Sequence, residues 1–248
     1  MGKNISPKQK MKYFFNIAVY IVFLWMIIHF LLLGPNRSPA STIVGVLLVL
    51  AVIVLLYHDY LDSIYRKALY ELNYRLNADE AKKLYARVIS MDPAGIYKRD
   101  RALFDIMVYF EEKNWDGIID AVKKNDEKFL SSVEMMLIRD FFLMEAYYNR
   151  GEMEEVRKLH DEIKDIEKMK KRPDPLPLEF YHAIYQLSKG SKEKAARYYS
   201  SVNVSRLNPR ERKYLYQRKI ETLGKANQIA QATKDLEKLK QNPEAVLE

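Results

Sequence analysis

Chemistry in this chain would have to start from its four histidines, His29, His58, His160 and His182. His58 with Asp62 one helical turn on offers two metal ligands, half of what a zinc site needs, and no second histidine lies near. His29 falls inside an uncharged run, where a neutral imidazole faces a partner helix, and His160 and His182 fall on amphipathic stretches, where packing is expected. Glu111-Glu112 and Glu154-Glu155 sit near turns or helix starts, where carboxylates favour the helix dipole and solubility. The chain has no cysteine, so no thiolate ligand or nucleophile, and no glycine-rich phosphate loop, nucleophile elbow or paired-histidine zinc helix. These absences lead us to expect no metal, no cofactor and no enzymatic activity.

The elements that would position such residues begin with two apolar runs. Tyr13–Leu33 and Thr42–Tyr57 carry no charge, and each approaches the ~20 residues a helix needs to cross a bilayer. The connector Gly34–Ser41, with two prolines and one arginine, suits a hairpin between two spans. A cleaved signal peptide ending near Ser38-Pro39-Ala40 is the rival reading, but the first run exceeds the ~7–15 residues of a signal core. Residues 1–12 form a basic tail with Lys3, Lys8, Lys10 and Lys12; Arg37 alone marks the connector, and Arg66, Lys67 and Arg75 follow the second run. Basic flanks stay inside, which predicts a two-span protein of the cell membrane with both termini cytoplasmic.

The formal charge of +8 belongs mostly to that topology. Residues 1–57 hold five of the 41 basic residues and none of the 33 acidic ones, leaving 36 against 33 in residues 58–248. Attraction to anionic lipid near the spans accounts for the excess, and no nucleic-acid partner is expected. The absence of cysteine fits a reducing compartment such as a bacterial cytoplasm.

Residues 58–248 show apolar positions three and four apart over long stretches and no alternating β-branched run, which predicts an all-α domain. Five turn signals recur, each before a similar amphipathic run: Leu76–Val88, Lys113–Val122, Arg150–Ile163, Lys189–Val202 and Leu223–Leu236. Their turn positions Leu76, Lys113, Gly151, Gly190 and Gly224 lie 37, 38, 39 and 34 residues apart. In the first unit Ala81, Tyr85, Val88 and Pro93 place a small residue, an aromatic, an apolar residue and a helix stop in order; Ala195, Tyr199 and Val202 repeat the theme. Tyr147 and Tyr109 fit the aromatic slot of a first helix, while Val156 and Ile118 stand at the small site.

This pattern resembles the tetratricopeptide repeat (TPR) family, whose unit is two antiparallel helices of ~34 residues. The resemblance covers about 180 residues but lacks the Trp-Leu-Gly signature of the first helix. It implies a TPR-like α-solenoid of about five helical hairpins behind an N-terminal transmembrane hairpin, and it implies protein–protein interaction.

The second run continues towards Arg75 without glycine or proline after Gly45, so one rod of ~50 Å from the span into the first repeat is expected, with a break near His58-Asp59, where polarity begins, as the alternative. Lys168–Pro177, with three prolines in five residues, reads as a solvated loop, the alternatives being a small hinge or a basic patch that touches lipid headgroups or an acidic partner. Arg206, Arg210, Arg212 and Lys213 read as a hydrated face. Most of the 18 tyrosines should pack hairpin on hairpin, with a surplus lining a concave groove. On the presumed first helices Asn73, Tyr74, Arg101, Asp105, Arg139 and Tyr148 are the residues expected to face a bound protein or peptide. The expected role is a membrane-anchored adaptor whose partner is another protein, a membrane protein included. The alternative is a regulatory or structural subunit of a transporter or envelope-synthesis enzyme, contacted mainly through the transmembrane hairpin, where Asn16, Tyr20 and His29 are polar.

Overall fold

The computed structural model describes residues 7–34, 38–168 and 173–243. Every regular element among them is helical, as the periodicity predicts. The basic residues 170–172 and the first six residues of the tail lie outside the described part, while Pro7–Lys12 are already helical. Contacts divide the chain into a first unit, Met1–Tyr65, and a second, Arg66–Glu248, a boundary eight residues beyond the end of the second apolar run.

In the first unit α1 covers Pro7–Met26 and continues as a π-helical segment, Ile27–Leu32. α2 begins at Pro39, three residues before the apolar run. Ser38 and Ser41 exchange backbone N–H and side-chain hydroxyl bonds of 2.8 and 3.1 Å, and Pro39 supplies the φ a first helical turn needs. α2 then runs unbroken for 35 residues to Asn73, so helix crosses the unit boundary as expected. It is the one described helix long and apolar enough to cross a membrane; within α1 and its continuation the apolar stretch is shorter, Ala18–His29. Most apolar side chains of α2 point outward, Ile43, Leu47 and Val54 being 62%, 60% and 65% exposed, which water would penalise. The Tyr20 hydroxyl donates to Asp59 at 3.1 Å and so sets α1 beside α2 at that level.

The second unit is built from consecutive helices: α3 (Ala78–Ser90), α4 (Arg101–Glu111), α5 (Trp115–Lys124), the one-turn α6 (Asp126–Phe129), α7 (Val133–Arg150), α8 (Met153–Glu167), α9 (Leu178–Ser188), α10 (Lys192–Ser201), α11 (Pro209–Thr222) and α12 (Ala226–Gln241). α4 packs on α5, α7 on α8, α9 on α10 and α11 on α12; adjacent pairs meet through α5–α7, α7–α9, α8–α9 and α10–α11. Four of the five turn positions read from the sequence take a left-handed backbone, with φ of 58° at Leu76, 57° at Lys113, 82° at Gly151 and 72° at Gly190. That conformation lets one helix end and the next start within a few residues; Gly224 does not use it. Asn77, Asn114 and Ser132 each accept a backbone N–H of the helix that follows, and Asn208 with Glu211 forms a full capping box.

The small-residue sites are closed, as their spacing predicts: Ala81 and Ala195 have no exposed surface, and neither do Val156 and Ile118 where the site is larger. Tyr85, at the aromatic site, stacks on Phe104 at 4.1 Å and donates to the Tyr97 carbonyl at 2.8 Å. The first helices of successive pairs share one aromatic cluster. Tyr214 of α11 lies 5.8 Å from Phe110 of α4, 5.3 Å from Phe141 of α7 and 5.0 Å from Phe180 of α9, mostly edge to face.

Candidate interaction site

Beside that cluster lies a buried polar network. Glu145 stands at the end of the apolar run Phe141–Met144 on α7 and is 1% exposed. A carboxylate so far from water has to be matched. Arg218 of α11, 8% exposed, pairs with Glu145 Oε2, and the Tyr214 hydroxyl donates to Oε1 at 2.5 Å. Tyr199 of α10 shares a 3.2 Å hydroxyl contact with Tyr214, and Asn149 Nδ2 donates to the Glu145 carbonyl at 2.7 Å. Arg218 also donates to Glu221 at 2.7 Å, and its guanidinium lies 5.3 Å from the centre of the Tyr148 ring.

Burial would lower the Arg218 pKa, but the Glu145 carboxylate and the two tyrosines hold it well above its usual value. Burial, then the Glu145 charge, pushes Tyr214 far up, and Tyr199 rises for the same two reasons. Arg218 is held charged and Tyr199 and Tyr214 neutral near neutrality, and the network ties α7, α10 and α11 together. Its outward parts are Tyr148, half-buried, and Glu221, whose side chain is 55% exposed. They form the exposed rim of the network.

Two further groups are buried with a single partner. Asp140 has no exposed surface; Arg139 Nε donates to its Oδ1 at 2.7 Å while Oδ2 has no hydrogen-bond partner. Burial pushes its carboxyl up to about 7, with Arg139 opposing. His160 of α8 stacks on Tyr185 of α9 at 3.8 Å and shares a 3.0 Å nitrogen contact with His182. Burial, then the neighbouring His182, lowers its pKa to about 4. The packing role expected for His160 holds, with His182 as an unforeseen partner. No group of three or more His, Asp or Glu side chains that could hold a metal ion occurs among the described residues.

The six residues read as groove-facing do not share one face. Arg139 and Tyr148 are nine residues apart on α7, half a revolution at 100° per residue. Arg139 accordingly turns to Glu162 of α8 at 3.1 Å and is buried, while Tyr148 turns to Arg218 of α11. Arg101 and Asp105 pair with each other at 3.3 Å on the first turns of α4, and burial nudges the Asp105 carboxyl up against the Arg101 charge. Asn73 ends α2, half-buried, and Tyr74 stacks on Tyr70 at 5.1 Å. The cluster of Arg206, Arg210, Arg212 and Lys213 is also not one hydrated face. Arg210 lies over the Phe142 ring at 5.9 Å, Arg212 Nε donates to the Leu207 carbonyl at 2.9 Å, and Lys213 pairs with Glu111 at 2.5 Å. Of the four, Arg206 is exposed.

Glu145, Tyr214 and Arg218 escaped the sequence reading. A lone glutamate after Phe141–Met144 is a usable signal for a buried pair; nothing in α11 marks Arg218 as its partner. No known protein family, no characterised protein and no solved structure matches this chain.

Proposed function

We propose that the protein is a membrane-anchored adaptor whose second unit, a TPR-like solenoid of helical hairpins, binds another protein. The observation that carries this reading is α2, a single helix with outward-facing apolar side chains at Ile43–Leu56 that ends inside a unit made of stacked helix pairs. Left-handed turns 37, 38 and 39 residues apart support the repeat, the Tyr20–Asp59 bond supports a two-helix anchor, and the basic residues flanking both runs support termini on the cytoplasmic side. The inner face carries the aromatic cluster around Tyr214, so the partner is expected at the rim, around Tyr148 and Glu221, and at Arg101 and Asp105. Photo-crosslinking residues at Tyr148 and Arg101 in native membranes, followed by mass spectrometry, test it. A defined protein captured from both positions, with capture at Arg101 lost on Tyr148→Ala, supports the adaptor; capture of lipid alone from both defeats it.

The Tyr20–Asp59 contact also favours a second reading, a regulatory or structural subunit of a transporter or envelope-synthesis enzyme held through the anchor. A polar pair beside apolar runs is a common contact for further helices. Replacing residues 7–57 by an unrelated two-helix anchor separates the two. An adaptor keeps its partner after the exchange, and an embedded subunit loses it.

A further inference from the structure

The second unit has two unlike edges. α2 arrives at Arg66 and ends at Asn73, and the tight turn through Leu76 sends α3 back, so the connection after α3 emerges where the chain came in. The same alternation puts residues 91–100, 125–132 and 202–208 on this proximal edge and the tight turns on the distal one. Ion pairs agree: Lys128 with Asp100 at 3.7 Å joins two proximal connections, and Lys82 with Glu112 at 2.5 Å and Arg150 with Asp116 join distal turns.

Charge and apolar exposure divide along these edges. With residues 168 and 173–177 as the fourth proximal connection and four helical residues on either side of each connection, the proximal edge carries twelve basic against ten acidic residues by sequence, and the distal edge eight against eleven. Among the described residues of the second unit, the two large apolar side chains that stand out into solvent are Ile96, 47% exposed, and Leu130, 46%. Both are proximal. Neither hangs on a loose loop. Gly95, at φ 69°, turns the chain just before Ile96, and the Tyr97 N–H donates to buried Asp92 at 2.8 Å while the Tyr97 carbonyl accepts from Tyr85.

We propose that this proximal edge is a docking surface for an anionic bilayer, Ile96 and Leu130 entering the headgroup layer while Lys98 and Arg206 meet lipid phosphate. The proposal rests on the reading of α2 as a membrane span. Eight residues separate Tyr57, the end of the apolar run, from Arg66, about 13 Å as helix. So short a tether keeps the lipid surface at high effective concentration, and exposed bases beside apolar tips are suited to headgroups and acyl boundary. The distal edge, acidic on balance, is left to the aqueous side.

The chain has no cysteine, so single fluorescent labels report cleanly. Full-length Ile96→Cys, Leu130→Cys, Glu154→Cys on the distal edge and Val54→Cys within the span are labelled and reconstituted. The vesicles are phosphatidylcholine with about a third phosphatidylglycerol, carrying a lipid-bound quencher. Labels at 96 and 130 should be quenched at least about twofold more than the label at 154, and the excess should shrink in neutral vesicles or high salt as screening shortens electrostatic reach. Equal quenching at 96, 130 and 154 with Val54 quenched overturns the docking edge and leaves the anchor standing. An unquenched Val54 overturns the anchor, and the docking edge with it.

Discussion

Glu145 of α7 and Arg218 of α11 meet as a buried ion pair across 73 residues of sequence, with Tyr214 completing the carboxylate's partners. Such a pair is costly to desolvate and tightens the specification of a fold more than it deepens stability. Arg218→Ala would strand the Glu145 charge and should cost about 3–5 kcal/mol, whereas Glu145→Leu with Arg218→Met should cost much less. Urea unfolding followed by helical circular dichroism compares them; equal losses in the two variants would contradict the pairing.

Lys113 carries a left-handed backbone, φ 57°, at a turn position where Gly151 and Gly190 take the same conformation later in the chain. A side chain there is strained, so Lys113→Gly should raise stability by up to about 1 kcal/mol. Gly151→Ala at φ 82° should lower it by about as much. Paired thermal melts read the opposite signs.

Two buried groups pull the pH dependence in opposite directions. His160, lowered to about 4 in the fold, gives stability that is complete above the unfolded value near 6.5 and is lost as pH falls through about 4. Asp140, raised to about 7, gives stability that is complete below about 4 and is lost as pH rises through 7. Between pH 4 and 6.5 the slopes oppose. Asp140→Asn should therefore make stability climb with pH across that window, and His160→Phe should make it fall, each against a flatter parent in urea titrations at fixed salt.

Tyr20 and Asp59 offer a direct check on the anchor. With no native cysteine to interfere, Tyr20→Cys with Asp59→Cys should join through a short bismaleimide in native membranes, visible as an intramolecular adduct by mass spectrometry. Moving the second cysteine to Val54, on an outward face of α2, should abolish most of the product.

What the sequence made legible follows from locality. Leu76, Lys113, Gly151 and Gly190 could be placed because a tight turn announces itself within a few residues. Ala81, Tyr85 and Val88 could be assigned to the interior because helical periodicity names the buried face. Periodicity names a face without naming what lies opposite. Tyr148 was therefore assigned to an open groove although Arg218 lies beneath it, and Arg139 to the same groove although nine residues turn it away. Lys213 looked hydrated because its partner, Glu111, is 102 residues distant.

The rings of Phe110, Phe141, Phe180 and Tyr214 bind α4, α7, α9 and α11 into one knot. Stacked helix pairs with a hollow bore stretch like a spring, each joint giving a little. Here ring contacts link the first helices of four successive pairs. Tension applied at one end of these helices would be delivered to the other with little give, which suits a strut bearing load better than an elastic coupling.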